Sequence, residues 1–154
     1  MTVTELPVTV TQLIVGLENE PGRLFAVVDA LRDAQISILA LSVAGAGSAG
    51  EARMLVSDPR RARTVLMGLD VPAYPEEAIV VEAEVMGPKM LDFLEPLSLE
   101  GLNIGHLQAF PAAVGGALVA FTTAEPARTV GVIREHGYET LDLATLLERF
   151  RRDR

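Results

Sequence analysis

Thr11-Gln-Leu-Ile-Val-Gly-Leu-Glu-Asn-Glu-Pro-Gly-Arg-Leu24 is the stretch that decides the architecture. Leu13, Ile14 and Val15 run together, as in a strand buried on both faces. Glu18-Asn-Glu-Pro-Gly22 is a turn cluster, with Pro21 and Gly22 placed to open a helix. Leu24, Val27, Val28 and Leu31 then recur at i, i+3, i+4 and i+7, which is one helical face. Outward from there, residues 35–43 predict a strand, 45–50 a hairpin loop and 51–56 another strand. Asp58 and Pro59 read as the cap and first residue of a second helix, whose apolar face is Ala62, Val65, Leu66 and Leu69. Residues 71–74 predict a short fourth strand that Pro72 confines to a sheet edge.

The remainder repeats this order. Residues 78–85 predict a strand, Met86-Gly-Pro88 a turn, and Met90, Leu91, Leu94 and Leu97 a helix that Pro96 must kink or end early. Residues 102–110 and 117–121 predict strands around a hairpin loop at 111–116. A helix opens at Glu125-Pro126 and stops at Gly137, and residues 138–141 predict the last strand. Pro21 matches Pro88, Ile36-Ser-Ile38 matches Leu102-Asn-Ile104, and Ala62-Arg-Thr-Val65 matches Ala127-Arg-Thr-Val130, at offsets of 67, 66 and 65 residues. The fold class is therefore α+β: two ferredoxin-like βαββαβ domains in tandem, at 1–75 and 76–154, plus a C-terminal helix. Leu143, Leu146, Leu147 and Phe150 mark that helix, with Thr145-x-x-Glu148 as a capping box. The strands lack polar alternation, so the second sheet face is covered or the two sheets join edge to edge. Either solution creates a seam suited to a ligand.

The chain has 154 residues, 49% of them hydrophobic and 22% charged, enough apolar material for a core. No apolar run reaches the length of a membrane span, and the N-terminus lacks the basic start of a signal peptide, so a cytoplasmic protein with no membrane partner is expected. A net charge of −8 argues against nucleic acid as a partner. The absence of cysteine excludes thiolate chemistry and Cys-ligated zinc. His106 and His136 show no metal-ligand spacing, and no cofactor is implied. Glu82 and Glu84 share a strand face as a solvated pair. Gly45-Ala-Gly-Ser-Ala-Gly50 matches a dinucleotide fingerprint literally, but the helix that fingerprint requires has no room before Asp58. No acid–base pair emerges, so catalysis is not expected.

The loop at residues 18–24 places free backbone N–H groups at a helix N-terminus directly after a strand, a setting that suits a carboxylate or phosphate. Asn19, Pro21, Gly22 and Leu24, then Ile36-Ser-Ile38, with Gly101-Leu-Asn-Ile104 and Gly137-Tyr-Glu139 in the second copy, resemble the ACT domain, an amino-acid-sensing regulatory module. The resemblance covers about residues 11–142 and implies paired domains with an amino-acid effector at the seam. It implies one site of Asn19, Glu20, Pro21, Gly22, Arg23 and Leu24 opposite Leu102, Asn103 and Ile104. The equivalent site, Met86, Gly87 and Pro88 opposite Ile36, Ser37 and Ile38, departs from the pattern, because Lys89 follows the proline where the family has glycine. The expected partners are a small amino acid, a second copy in a homodimer, and a metabolic enzyme or regulator. A structural or oligomerisation adaptor that no longer binds an effector is the alternative reading, and a small enzyme on the same scaffold is a third.

Overall fold

The computed structural model describes residues 8–84, 87–111 and 116–151. They hold seven strands and five helices: β1 (Val10–Glu18), α1 (Arg23–Asp33), β2 (Ile38–Ala46), β3 (Ala49–Val56), α2 (Pro59–Met67), β4 (Ala73–Glu82), α3 (Lys89–Leu99), β5 (Leu107–Pro111), β6 (Ala117–Phe121), α4 (Pro126–Glu135), β7 (Glu139–Leu141) and α5 (Leu143–Arg151). Thr11–Glu76 form one compact unit, and Glu77 onward, joined by the residues up to Val10, form the other.

The N-terminal unit has strand order β2-β3-β1-β4 and the C-terminal unit β5-β6-β4-β7, the same order for the same βαββαβ succession. β1 and β2 each run antiparallel to β3, as β4 and β5 do to β6. One strand, β4, contributes its first residues to one unit and the rest to the other. The two strands expected at 71–74 and 78–85 are thus a single element. Pro75 is tolerated inside it because that stretch is the edge strand of the N-terminal unit's sheet.

Each unit packs its two helices on one sheet face. Leu13, Val15, Met54 and Val56 meet Val27, Leu31, Ala62 and Leu66 in the first. Ile79, Val81, Val119 and Phe121 meet Phe93, Leu97, Val130 and Ile133 in the second. Phe93 sits edge-on to Phe121 and to Tyr138, with ring centroids 5.8 and 5.4 Å away. Burying each such side chain contributes about 1.5–3 kcal/mol. In the C-terminal unit the opposite sheet face carries α5. Phe150 stacks on Phe110 at 6.5 Å, and Arg149 pairs with Glu82 at 2.9 Å. In the N-terminal unit that face holds a polar group: Gln12 donates to Glu76 at 2.7 Å, and Arg53 reaches both Glu76 and Glu51.

Helix ends follow one device. At the C-termini of α1, α2, α3 and α4, the residues in left-handed conformation are Gln35, Asp70, Gly101 and Gly137, and the amide of each following residue bonds back five residues, to Leu31, Leu66, Leu97 and Ile133. These bonds set the true register of the repeat. Leu31 answers Leu97 and Leu66 answers Ile133, at offsets of 66 and 67, so the sequence match at offset 65 lies two residues out of structural register. In that register Arg61 answers Arg128, and the two do the same work. Arg61 donates to the Ala34 carbonyl at 3.1 Å and Arg128 to the Glu100 carbonyl at 2.7 Å, each tying the second helix of its unit to the end of the first.

Other expectations change in detail. Pro96 does not end α3, which continues to Leu99. The strand expected from 102 begins at Leu107, because the His106 amide donates to the Thr122 hydroxyl instead of a strand carbonyl. Asp142, not Thr145, caps α5: its carboxylate accepts from the Thr145 amide at 2.8 Å, and the Thr145 hydroxyl, followed by that amide, holds its pKa below the ordinary value. Asp58 caps α2 as expected, accepting from the Arg61 amide at 3.1 Å. The loop at 112–115, the residues beyond Arg151, and Val85 and Met86 lie outside the described residues.

Candidate functional site

The loop between β1 and α1 is built by backbone turns. Glu20 N–H bonds the Glu18 carbonyl at 2.8 Å, and Arg23 N–H the Glu20 carbonyl at 3.3 Å. Asn19 anchors this loop to the β2–β3 turn. Its amide N–H donates to the Ser48 carbonyl at 3.0 Å and its side-chain Nδ2 to the Gly47 carbonyl at 2.7 Å. The asparagine's donor therefore shapes the loop. Gly22 is the N-cap of α1 at φ 88°, a conformation that favours glycine, and a Cβ there would meet nothing within 4 Å. No side chain caps the helix. Its first-turn amides thus begin beside an open surface, with the helix dipole behind them.

Arg23 stands between two carboxylates, Glu18 at 2.8 Å and Glu20 at 4.0 Å. All three side chains are half exposed or more, so these pairs contribute little stability. Beside the loop lies a cavity of about 360 Å³, lined by Leu17, Glu18, Arg23, Val27, Asp70 and Pro72 among others. Asp70 reaches it through the left-handed turn that ends α2. The sequence reading missed Asp70. The signal for it is a non-glycine residue at a position where the second copy has Gly137.

Leu102, Asn103 and Ile104 come together in the C-terminal unit, between α3 and β5. Leu102 is buried in the core, Ile104 packs against it, and Asn103 is the exposed member. A cavity of about 290 Å³ lies beside Asn103, with Leu94 and Ser98 in its wall. In the second copy of the loop the order of the two turn residues is reversed. Gly87 has φ 65° and Pro88 is the cap of α3, while Lys89 pairs with Glu84 at 2.5 Å, which raises the lysine's pKa. Met86 lies outside the described residues. Ser37 exchanges bonds with Ser57 at the start of β2, and Ile36 and Ile38 belong to the core.

Glu82 and Glu84 do not converge, since each is paired with its own cation, Arg149 and Lys89. His136 Nδ1 lies 2.8 Å from the Val132 carbonyl at the end of α4. Among the described residues, no group of three or more His, Asp or Glu is arranged to hold a metal ion, and no helix is long and apolar enough to cross a membrane.

Two βαββαβ units of identical strand order, the first carrying a glycine-capped loop after its opening strand, define a pair of ferredoxin-like modules. The family described as ACT domain pair matches residues 8–148, and the chain belongs to it. Among solved structures, protein BT0572 from Bacteroides thetaiotaomicron is similar at 25% identity and TM-score 0.84, over 91% of this chain and 96% of that one. The regulatory subunits of aspartate kinase from Thermus thermophilus (ligand-free form) and Thermus flavus share the fold. Their identities are 10% and 12%, with TM-scores of 0.59 and 0.55, over 85% of this chain and 94% and 99% of theirs. No curated protein matches the sequence.

Proposed function

We propose that this protein is a non-catalytic regulator that binds a small amino acid at the loop opening α1. The observation that carries the reading is a helix N-terminus capped by glycine alone, next to a cavity bearing charges of both signs. The effector's carboxylate meets the first-turn amides of α1 near Pro21 and Gly22. Its ammonium group meets Glu18, Glu20 or Asp70 beside the loop. Asn19 holds the loop in shape, Arg23 and Leu24 form its helical rim, and Leu102, Asn103 and Ile104 are the second contributor that membership of the family suggests. The protein works as a homodimer whose packing responds to the effector, and it reports to a metabolic enzyme or regulator in the cytoplasm.

Thermal shift with each of the twenty amino acids at millimolar concentration tests this. A ligand at one hundred times its Kd raises stability by about 2.7 kcal/mol. Gly22→Ala should abolish that shift. Stabilisation by none of them, with an oligomeric state that light scattering finds unchanged, would replace this reading with that of an adaptor. The reversed Gly-Pro order in the second loop already points to one working loop per chain.

A further inference from the structure

Helix α2 opens with Asp58 and Pro59, followed by Arg60, Arg61 and Arg63, and has no acidic residue in its first turn. Cations there oppose the helix dipole. Arg61 has its structural use at the Ala34 carbonyl. Among the described residues, the side chains of Arg60 and Arg63 make no hydrogen bond or ion pair, whereas those of Arg23, Arg53, Arg128 and Arg149 all pair with carboxylates. In the structural register of the repeat their counterparts are Ala127 and Val130, so the fold does not require a cation at either position.

Arg60, Arg63 and Met67 share one helical face, and that face lines a cavity of about 620 Å³ whose other walls include Leu13 of β1 and Pro75 of β4. The volume lies within the usual range for small-molecule sites. Asp58 also lines it, but its carboxylate is committed to the cap of α2. The cavity therefore combines apolar surface with two guanidinium groups that form no ion pair among the described residues, in a chain whose net charge is −8.

We propose that this cavity is a second ligand site, separate from the loop at Gly22, for a small organic anion with an apolar body. Arg60 and Arg63 hold the carboxylate in the forked geometry that suits guanidinium, and the hydrocarbon portion lies on the exposed Pro75 and the adaptable Met67.

The test is titration of the full chain with hexanoate, followed by calorimetry and by amide and methyl NMR signals. Hexanol and acetate serve as the uncharged and tail-less controls. Saturable hexanoate binding that moves Arg60, Arg63, Thr64 and Met67 is expected, with both controls at least about tenfold weaker. The variant R60A/R63V imports the residues of the second unit and should lose about tenfold or more in affinity while keeping its circular dichroism. Should that variant fail to fold, R60K/R63K makes the same comparison, with a smaller loss expected because charge is kept and the fork removed. Failure of hexanoate to saturate, equal binding to the variants, or shifts centred elsewhere would overturn the proposal. Binding of an acidic peptide in place of hexanoate would overturn it too, and would assign the two arginines to a protein partner.

Discussion

The residue that closes α1 is Gln35, held at φ 59°, with its amide bonded to the Arg32 carbonyl at 2.9 Å and the Ile36 amide to the Leu31 carbonyl at 2.9 Å. The residue that closes α3 is Gly101 at φ 67°, with the same two bonds at 3.0 and 2.9 Å. The protein thus contains one turn built twice, once from a residue that pays a left-handed penalty. That penalty is about 1–2 kcal/mol for an L-residue, and glycine gives back about 0.4–1 kcal/mol through its freer unfolded chain. Gln35→Gly should therefore stabilise the protein by about 0.5–1 kcal/mol, and Gly101→Ala should destabilise it by a similar amount. Packing does not confound either change: Gln35 is exposed, and a Cβ at Gly101 would meet nothing within 4 Å. Urea unfolding should show the midpoints moving in opposite directions at constant m, and melting temperatures shifting by roughly 2–4 °C per kcal/mol. Unchanged stability in both variants, or a loss on Gln35→Gly, would refute the reasoning. A changed m would move the effect to the denatured state.

Phe93→Ala, which removes the ring between Phe121 and Tyr138, should cost about 3–5 kcal/mol in chemical unfolding. Arg61→Met and Arg128→Met should each cost up to about 1 kcal/mol, with Arg128 the larger because its bond is shorter and Glu100 adds an ion pair. The lowered pKa of Asp142 means its cap is fully present above the unfolded value of 3.8 and lost as pH falls through the lower folded value. On acidification toward pH 3 and below, NMR should show α5 fraying, and Asp142→Asn should flatten that dependence.

Much of the fold was legible because strong local signals agreed with tertiary demand. Asp58-Pro59 and Gly137 behave as their chemistry requires. Legibility failed where two neighbours could do the same job, as with Asp142 and Thr145 three residues apart, or where a partner remote in sequence intervenes, as Thr122 does at His106. Residues 71–74 and 78–85 read as two strands, since nothing local reveals that the edge position expected from Pro72 runs on through Pro75 into one ribbon. At the candidate site the loop was readable from Asn19 to Leu24, but Asn19's attachment to Gly47 and the presence of Asp70 depend on the β2–β3 turn and the end of α2. Arg60 and Arg63 stand out only beside the carboxylate partners of Arg23, Arg53, Arg128 and Arg149, which the sequence does not display.

Because β4 runs unbroken from Ala73 to Glu82, the stretch around residue 76 is a poor place to divide the gene. A stop codon or fusion joint near residue 76 would cut through a hydrogen-bonded ribbon and leave each fragment with a stump and a sticky margin. An insertion at the exposed Gly47-Ser48 tip would spare that ribbon, but at the cost of the two bonds by which Asn19 is moored.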